Sequence, residues 1–585
     1  MRGHSQSFDV ETPQYSALEN FHDDSSSSAN SCNKHCNKQR GILASLLVVF
    51  SVILILILTQ LPSGAGGRTP ASKPAPIVDS PFGAIQGNNV VHAASGTLVH
   101  EFIGIPYAKP PTGDWRFRPA QAVDAWSTPL DATTWGAVCP QYLPPGLPSS
   151  LTRPMSEDCL NLNIWKRAGV TSSDKLPVMF FIHGGGFTSG SGSEFNGTDI
   201  VAEAAQANKD VVVVTINYRL GGLGMLASEA FAKENSAWPS TGGVNFLNDQ
   251  IVALKFTRLL IASFGGDVDQ VLVFGESAGA LSTCMLTLVP SAKGLYTSAL
   301  LESGPCTGPW GPARKSTGLA TSAEYMRGLN ATTPAALRAL SWKAFVARPF
   351  SRTSVDGFVL PEHPNEILAA GGPINPTRVM VGSNAFDSLA AKPQAMAAPG
   401  HPQPTTPAEF LALLTFANIS SSVATAVMNQ YIDPPTKFGS IQQGWVKLTA
   451  DVCVICPSAL LSTTYGKTGA AVWEYEFMGP GGLSPHGGEL PYVFGPSFAA
   501  ATCGPHAVEN LCQSPFNTTL SKDMMEAWRV FAYGESPFPE HSVNKAFRKF
   551  GDGTEVSAFD MRGAQCAALA ENLSFLQQVL VCVGL

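Results

Sequence analysis

Short apolar runs, each followed at once by glycine or polar residues, are the most regular pattern along this chain. Four of them cover residues 177–182, 271–274, 378–382 and 471–477. Runs of this length, rich in Val, Ile and aromatic residues, predict buried β-strands. Active-site residues of open parallel sheets collect at the carboxyl ends of strands. The residues that follow these four runs are therefore the first candidates for chemistry.

The second run leads into residues 275–279, Gly-Glu-Ser-Ala-Gly. A strand followed by Gly-x-Ser-x-Gly predicts a nucleophile elbow, because the glycines allow a turn so tight that the Ser277 hydroxyl stands clear of the strand end. Residues 280–283 continue as a predicted helix whose amino terminus faces the serine. A glycine-rich turn without chemistry is the alternative for this motif by itself.

The first run leads into residues 183–187, His-Gly-Gly-Gly-Phe. Three successive glycines leave backbone N–H groups uncovered, and such groups can bind the oxyanion of a tetrahedral intermediate. An ordinary glycine-rich turn is again the alternative. A glycine loop ahead of a serine elbow favours acyl-transfer chemistry for both motifs.

A histidine is needed as the general base, and the chain has 11. His486 follows the fourth run and lies between a proline and a glycine, which predicts a turn at the end of a strand. A histidine without this context is usually a satisfied surface or core residue. His486 is therefore the predicted base.

The acid that orients the base is less sharply indicated. Asp387 follows the third run and lies between Ser277 and His486 in chain order, as expected on an α/β-hydrolase sheet. Other acidic residues nearby are Asp356, Glu362 and Glu366. Most acidic residues in such loops are simply solvated, so spacing alone leaves the choice open.

Several more motifs stand in the order found in one enzyme family. They are residues 104–108 (Gly-Ile-Pro-Tyr-Ala), 156–165 (Ser-Glu-Asp-Cys-Leu-Asn-Leu-Asn-Ile-Trp), 217–221 (Asn-Tyr-Arg-Leu-Gly), 248–250 (Asn-Asp-Gln), 264–267 (Phe-Gly-Gly-Asp) and 484–490 (Ser-Pro-His-Gly-Gly-Glu-Leu). With the elbow and the glycine loop, residues 80–580 resemble the type-B carboxylesterases, a cholinesterase-like family of α/β-hydrolases. The resemblance implies an α/β fold with a large, mostly parallel central sheet flanked by helices.

The resemblance also implies roles for individual residues. Ser277 is the expected nucleophile, His486 the base and Asp387 the acid of a catalytic triad. The oxyanion hole is expected to consist of the N–H groups of Gly185, Gly186 and Ala278. Expected structural pairs are the ion pairs Arg116–Glu157 and Arg219–Asp249 and the disulfide Cys139–Cys159.

The chain departs from the family at several positions. The acid is an aspartate where most relatives have glutamate, and Ser388 replaces the glycine usual after it. Asn161 stands where an aromatic residue or threonine is common. Cholinesterases carry a choline-stacking tryptophan near the position of Ser149. Its absence argues against a cholinesterase.

Composition narrows the classes of partner. The net charge of −7 at pH 7 offers no basic patch for nucleic acid. Residues 453–456, Cys-Val-Ile-Cys, have the spacing of a zinc or redox motif, but no second Cys-x-x-Cys or histidine pair accompanies them. We therefore expect no metal and no organic cofactor. The expected substrate is a small-molecule or lipid ester.

The amino-terminal region predicts a membrane anchor. Residues 42–58 are apolar or small and uncharged, close to the length that crosses a bilayer. We expect a disordered cytosolic tail over residues 1–40, a transmembrane signal anchor over 41–61, a flexible linker over 62–76 and an α/β-hydrolase catalytic domain over 77–585. Lys34, Lys38 and Arg40 before the anchor favour a type II topology with a luminal or extracellular hydrolase. Cleavage near residues 63–65, giving a secreted form, is the alternative.

Cysteines and glycosylation sequons agree with an oxidising compartment on the hydrolase side. Of the 12 cysteines, only Cys32 and Cys36 precede the anchor. Further pairings considered are Cys503–Cys512, Cys453–Cys456 and Cys566–Cys582, although connectivity cannot be deduced from sequence. Asn-x-Ser/Thr sequons begin at Asn196, Asn330, Asn418, Asn517 and Asn572.

Together these motifs predict a serine carboxylic-ester hydrolase that works through an acyl-enzyme. A lipase and a short-chain esterase both fit, and Trp310 is a candidate for the acyl side of the pocket. A catalytically silent adhesion or binding ectodomain of the same fold is the alternative from another class. Such relatives commonly lose a triad member, whereas this chain keeps all three candidates.

Overall fold

The computed structural model describes residues 74–142, 153–234, 236–372, 375–388, 404–416, 420–432, 438–482, 484–502, 516–541, 547–551, 555–557 and 566. The predicted tail, the predicted anchor and nearly all of the predicted linker lie outside these residues.

The described strands are β1 (Ile77–Ser80), β2 (Gly83–Gln86), β3 (Asn88–Val91), β4 (Leu98–Pro106), β5 (Leu130–Asp131), β6 (Asn161–Arg167), β7 (Leu176–Ile182), β8 (Val212–Ile216), β9 (Gly266–Glu276), β10 (Ser298–Glu302), β11 (Arg378–Asn384), β12 (Ala471–Gly479), β13 (Phe547–Gly551) and β14 (Glu555–Ser557). The four predicted strands are confirmed as β7, β9, β11 and β12.

The described helices are α1 (Thr198–Gln206), α2 (Gly221–Met225), α3 (Glu229–Glu234), α4 (Asn245–Leu260), α5 (Ala278–Leu288), α6 (Lys315–Gly328), α7 (Pro334–Ala339), α8 (Trp342–Ala347), α9 (Pro364–Ala369), α10 (Pro407–Phe416), α11 (Ser421–Tyr431), α12 (Ile441–Ala450), α13 (Cys456–Lys467), α14 (Leu490–Phe494), α15 (Pro496–Thr502) and α16 (Thr518–Ala532). A π-helical stretch, Asp451–Ile455, joins α12 to α13. The helix predicted after the serine elbow is confirmed as α5.

One large sheet carries the predicted catalytic residues. Its strand order is β14-β13-β12-β11-β10-β9-β7-β8-β6-β4-β3, and a small sheet has the order β1-β2-β5. In this order, every neighbouring pair between β13 and β8, including those of β7, is parallel. The pairs β13–β14, β6–β8, β4–β6 and β3–β4 are antiparallel. The carboxyl ends of β7, β9, β11 and β12 therefore meet at one edge, where ligand sites of such sheets lie.

The strand sequences are continuous apolar runs because both faces of the sheet are buried. In β7, Phe180 and Ile182 belong to the hydrophobic cluster on one face. Met179 and Phe181 belong to the cluster on the other face. Parallel strands covered by helices on both sides show this continuous pattern instead of apolar-polar alternation.

Two buried ion pairs predicted by resemblance are confirmed. Arg116 Nε and Nη2 donate to the two carboxylate oxygens of Glu157 at 2.7 and 2.6 Å. Arg219 Nε and Nη2 donate to Asp249 at 2.8 and 2.6 Å. In the second pair the side chains are 4% and 0% exposed. Such a bidentate pair leaves a costly unpaired charge when one partner is removed.

We expect Arg219→Met to lower the free energy of unfolding by about 3–5 kcal/mol, because Asp249 would remain charged and buried. Urea unfolding followed by tryptophan fluorescence measures the change. The matched control is Arg314→Met, since the side chains of Arg314 and its partner Glu366 are 64% and 41% exposed; this substitution is expected to change the free energy by less than about 1 kcal/mol. Equal effects of the two substitutions would contradict the prediction.

The disulfides agree with only part of what the sequence suggested. Cys139 and Cys159 are joined, with Cα atoms 5.0 Å apart. The pairings Cys453–Cys456 and Cys566–Cys582 were wrong, because Cys456 is bonded to Cys566. Cys453 is also disulfide-bonded, so residues 453–456 do not form a free dithiol. Cys503 and Cys512 lie outside the described residues.

A disulfide between Cys284 of α5 and Cys306 was not anticipated. The two cysteines lie on segments that follow neighbouring strands, β9 and β10. Their sequence separation of 22 residues gives no local signal of contact. The parallel pairing of the two strands brings them together.

One stretch in the described part of the chain, Ile441–Lys467, has the length and composition of a membrane span. The fold buries 83% of the most apolar window of this stretch. A helix in the core of a globular protein can be equally long and apolar, so we interpret this buried stretch as part of the core. The predicted anchor at 41–61 is a different segment and lies outside the described residues.

Candidate active site

Ser277 occupies a tight turn between β9 and α5. Its backbone has φ 56° and ψ −121°, a conformation that residues with a side chain rarely adopt. Ser277 N donates to Glu302 O of β10 at 2.9 Å. A Cβ atom on Gly279 would lie 1.9 Å from Ile182 O of β7, so this position admits only glycine. The backbone thus has the shape predicted for a nucleophile elbow.

A continuous hydrogen-bonded chain links Ser277, His486 and Asp387. Ser277 Oγ lies 2.7 Å from His486 Nε2, and His486 Nδ1 lies 2.6 Å from Asp387 Oδ1. His486 is 4% exposed and Asp387 is 0% exposed. Because the carboxylate can only accept, Nδ1 carries the proton of the neutral imidazole, and Nε2 is then left to accept from the serine hydroxyl. This arrangement can withdraw a proton from Ser277 during attack on a carbonyl carbon.

Neighbouring strands bring the acid and the base together. The loop after β11 and the loop after β12 are joined by a bridge between Phe386 and Pro485. Asn384 Nδ2 donates to Pro485 O at 2.8 Å, and Asn384 N donates to Asp387 Oδ2 at 2.8 Å. The second carboxylate oxygen of the acid is thereby held by its own loop.

The other acidic candidates lie elsewhere. Asp356 accepts hydrogen bonds from Ser240 and from the backbone of Phe358 and Leu360, so it organises its own loop. Glu366 pairs with Arg314 in solvent, and Glu362 is exposed. Among the sequence candidates for the acid, the structure brings Asp387 to His486.

The glycine loop lies directly against the elbow. A Cβ atom on Gly184 would come within 3.1 Å of Ser277 Cβ. Gly185 and Gly186 have φ of 100° and 60°, and Ala278 is the first residue of α5. Within the described part of the chain, the N–H groups of these three residues donate to no loop carbonyl.

Gln141, which the sequence did not single out, holds the far end of this loop. Its amide donates to Gly190 O at 3.1 Å and accepts from Gly190 N at 2.8 Å. A Cβ atom on Gly190 would lie 2.5 Å from the His183 ring, so the clamped segment packs tightly against the start of the glycine loop. The only sequence signal for the role of Gln141 is its position two residues after Cys139.

Buried carboxylates surround His486. Glu276 Oε1 lies 3.3 Å from His486 Nε2, and Asn384 donates to Glu489. Burial lowers the pKa of His486, but Glu276, Asp387 and Glu489 outweigh it and raise the pKa to about 9. Burial and the charge of Glu276 raise the pKa of Glu489 to about 8. Sequence reasoning missed both glutamates, although Glu276 stands inside the elbow motif.

We expect kcat/KM to rise with pH along a pKa well above the ordinary 6.5 and near 9, because His486 must be neutral to accept the serine proton. Activity is therefore lost as pH falls through that pKa. The stability contributed by the charged imidazole runs the other way: it is complete below 6.5 and disappears as pH rises through about 9. A pH profile of kcat/KM with a neutral ester measures the catalytic limb.

The substitution Glu276→Gln tests the cause of this shift. Removing the carboxylate nearest to His486 Nε2 should move the acid limb of kcat/KM to lower pH. Glu203 is a half-buried residue of α1. Glu203→Gln is the matched control and should leave the acid limb of kcat/KM in place. An unmoved limb in the Glu276 variant would refute the assignment of the shift to this charge.

The remaining predicted positions are distributed over the molecule. Trp310 packs edge-on against His486, with ring centres 5.2 Å apart. Asn330 is exposed, Asn196 is half-buried, and Asn517 caps α16 by accepting from Leu520 N. Asn418 and Asn572 lie outside the described residues. In the described ranges, no group of His, Cys, Asp and Glu side chains is arranged to hold a metal ion.

Comparison with known proteins identifies a matching family and several relatives of this chain. The carboxylesterase family model matches residues 74–573. Carboxylesterase 1C of Rattus norvegicus is 30% identical over 544 residues, 85% of this chain and 94% of the relative. Acylcarnitine hydrolase of Mus musculus is 31% identical, over 84% of this chain and 88% of the relative. Para-nitrobenzyl esterase of Bacillus subtilis strain 168 is 38% identical over 50% of this chain and 60% of the relative.

Proposed function

Because the chain belongs to the type-B carboxylesterase family and is a carboxylic ester hydrolase, we propose that it cleaves esters through an acyl-enzyme formed on Ser277. The observation that carries the proposal is the chain of two short hydrogen bonds, 2.7 Å from Ser277 to His486 and 2.6 Å from His486 to Asp387. His486 acts as the general base and Asp387 as the acid that orients it.

Acylation begins when Ser277 Oγ attacks the ester carbonyl carbon and its proton passes to His486 Nε2. The carbonyl oxygen takes the negative charge and accepts hydrogen bonds from the N–H groups of Gly185, Gly186 and Ala278. The bond between the carbonyl carbon and the alcohol oxygen then breaks. His486 gives its proton to that oxygen, and the alcohol leaves an acyl group on Ser277.

Deacylation repeats these steps with water. His486 removes a proton from the water as its oxygen attacks the acyl carbon, and the same N–H groups bind the second oxyanion. The bond to Ser277 Oγ breaks, and His486 returns the proton to the serine. Throughout, Asp387 keeps Nδ1 protonated and stabilises the imidazolium that forms twice in each cycle.

The substrate class is proposed from the relatives and the site. Two relatives are named for acylcarnitine and para-nitrobenzyl esters, and we propose small-molecule esters as substrates of this chain. A lipid ester is the other possibility within the same chemistry. Trp310, against His486, is proposed to line the acyl side of the site.

The decisive experiment is hydrolysis of p-nitrophenyl esters of increasing acyl length by the full chain in detergent. Labelling by a fluorophosphonate, which reacts with activated serines, is measured on the same preparation. Turnover with labelling of Ser277 supports the proposal, and the preferred chain length separates an esterase from a lipase. A folded protein with neither turnover nor labelling would instead favour a silent binding ectodomain.

We also propose that residues 41–61 anchor the chain in a membrane and that the hydrolase faces the lumen or the cell exterior. The apolar run and the preceding basic residues support this. Alkaline extraction of membranes should leave the full chain in the pellet and release a variant that lacks residues 1–72. A glycosidase-sensitive mass would support use of the sequons. Recovery of the full chain in the soluble fraction would contradict the anchor.

A further inference from the structure

A helix distant in sequence packs against the loop that carries Asp387. Lys447 of α12 donates through its Nζ atom to Ala385 O, and Nζ lies 5.0 Å from the ring centre of Phe386. The Thr449 hydroxyl lies 2.7 Å from the Ser388 hydroxyl. The helix therefore contacts the loop on both sides of the acid.

Lys447 is buried, which makes this contact unusual. The residue is 4% exposed, and its ammonium group lies 3.8 Å from Asp451 Oδ1. Asp451 is itself 0% exposed, and Tyr431 donates to its Oδ2 at 2.8 Å. Burial and the nearby charge of Glu476 of β12 raise the pKa of Asp451.

Stability alone does not account for a lysine at this place. Replacing a buried ion pair with well-packed apolar side chains is often neutral or stabilising, whereas a retained pair can specify geometry. Here the ammonium group is aimed at a backbone carbonyl of a catalytic loop. The most direct consequence of the contact is the position of that loop.

The acid loop needs support on this side. Its other side is held by the histidine loop, through Phe386 N to Ser484 O at 3.1 Å and Asn384 Nδ2 to Pro485 O. Aspartate has a shorter side chain than glutamate, so the backbone must approach His486 closely to maintain the 2.6 Å hydrogen bond. A misplacement of about 1 Å can lower a rate roughly 100-fold.

We propose that Lys447 is a positioning residue for the catalytic acid. Its ammonium group holds the carbonyl of Ala385 from the side opposite the histidine loop and so keeps Asp387 within hydrogen-bonding distance of His486. Asp451, which accepts a hydrogen bond from Tyr431, lies 3.8 Å from the ammonium group and supports it in turn. This inference rests on the proposed function, since it assigns Lys447 an effect through the triad.

The test begins with Lys447→Met in the full chain, which keeps the volume and removes the charge. Active sites are counted by fluorophosphonate titration, so that kcat refers to folded molecules only. We expect kcat to fall about 10- to 100-fold with little change in KM. The acid limb of kcat/KM should also move to lower pH, because a displaced Asp387 stabilises the imidazolium less. Lys467→Met, an exposed lysine at the end of α13, is the matched control and should match wild type.

Two double variants separate positioning from structural damage. In Lys447→Met/Asp451→Asn no buried charge is left unpaired; kcat should stay low, and recovery to the wild-type value would overturn the proposal. In an Asp387→Asn background, Lys447→Met should cause little further loss. A further loss as large as in the wild-type background would show that Lys447 does not act through Asp387.

The same series tells failure of this inference from failure of the proposed function. A wild-type chain without Ser277-dependent turnover refutes the proposed function, and the inference falls with it. Normal wild-type turnover with an unchanged Lys447→Met enzyme refutes the inference alone.

Discussion

Replacing Ser277 with alanine is expected to lower kcat for an ester by about 10⁶-fold, the scale seen when the nucleophile of a serine triad is removed. The loss is this large because the acyl-enzyme pathway disappears, while the glycine loop and the substrate contacts remain. A residual rate about 10³- to 10⁴-fold above that in water is expected from those parts. Hydrolysis of an activated ester by wild type and by the variant, at equal concentrations of folded protein, measures the difference in kcat.

The matched control is Ser422→Ala, an exposed serine of α11, which should keep wild-type activity and labelling. The Ser277 variant should lose fluorophosphonate labelling completely while its unfolding transition stays close to that of wild type. Turnover of the Ser277 variant within tenfold of wild type would show that another nucleophile does the chemistry.

The second large effect is expected for Asp387→Asn, with kcat lowered about 10⁴-fold. The asparagine amide can donate to His486 Nδ1, which places the imidazole proton on Nε2. Nε2 then donates to Ser277 and cannot accept its proton. The acid limb of kcat/KM should also move to lower pH, since the imidazolium loses the carboxylate that stabilises it at 2.6 Å. Steady-state kinetics across pH measure both consequences.

Glu366→Gln is the control for this substitution, because Glu366 competed with Asp387 in the sequence and lies in an exposed ion pair. It should leave kcat within about twofold of wild type, as surface pairs contribute little. If Asp387→Asn retained full activity and Glu366→Gln did not, the acid would have been assigned to the wrong loop.

The outcome for the acid shows where sequence reasoning ended. Spacing and chain order left Asp356, Glu362, Glu366 and Asp387 as candidates, because all of them follow the elbow and precede His486. Only the pairing of β11 with β12 decides which carboxylate meets the imidazole. Resemblance to the family had indicated Asp387, and of these candidates Asp387 is the one that forms a hydrogen bond with His486.

Disulfides and buried charges were predicted less well for a similar reason. Cys139–Cys159 was available from family resemblance, whereas Cys284–Cys306 and Cys456–Cys566 join segments with no shared motif. Glu276 and Glu489 stood inside recognised motifs, yet nothing in their spacing indicated that both lie near His486. Lys447 had no motif at all.

The sequence by itself determined the features that depend on neighbouring residues. Continuous apolar runs specify strands buried on both faces, and Gly-x-Ser-x-Gly specifies the elbow, because a side chain at Gly279 would collide with Ile182 O. The tertiary structure decided which distant groups share a site: the acid that meets His486, the carboxylates that raise its pKa, and the lysine behind the acid loop. Local sterics act within a few residues and are readable in order, whereas these contacts depend on which strands and helices lie side by side.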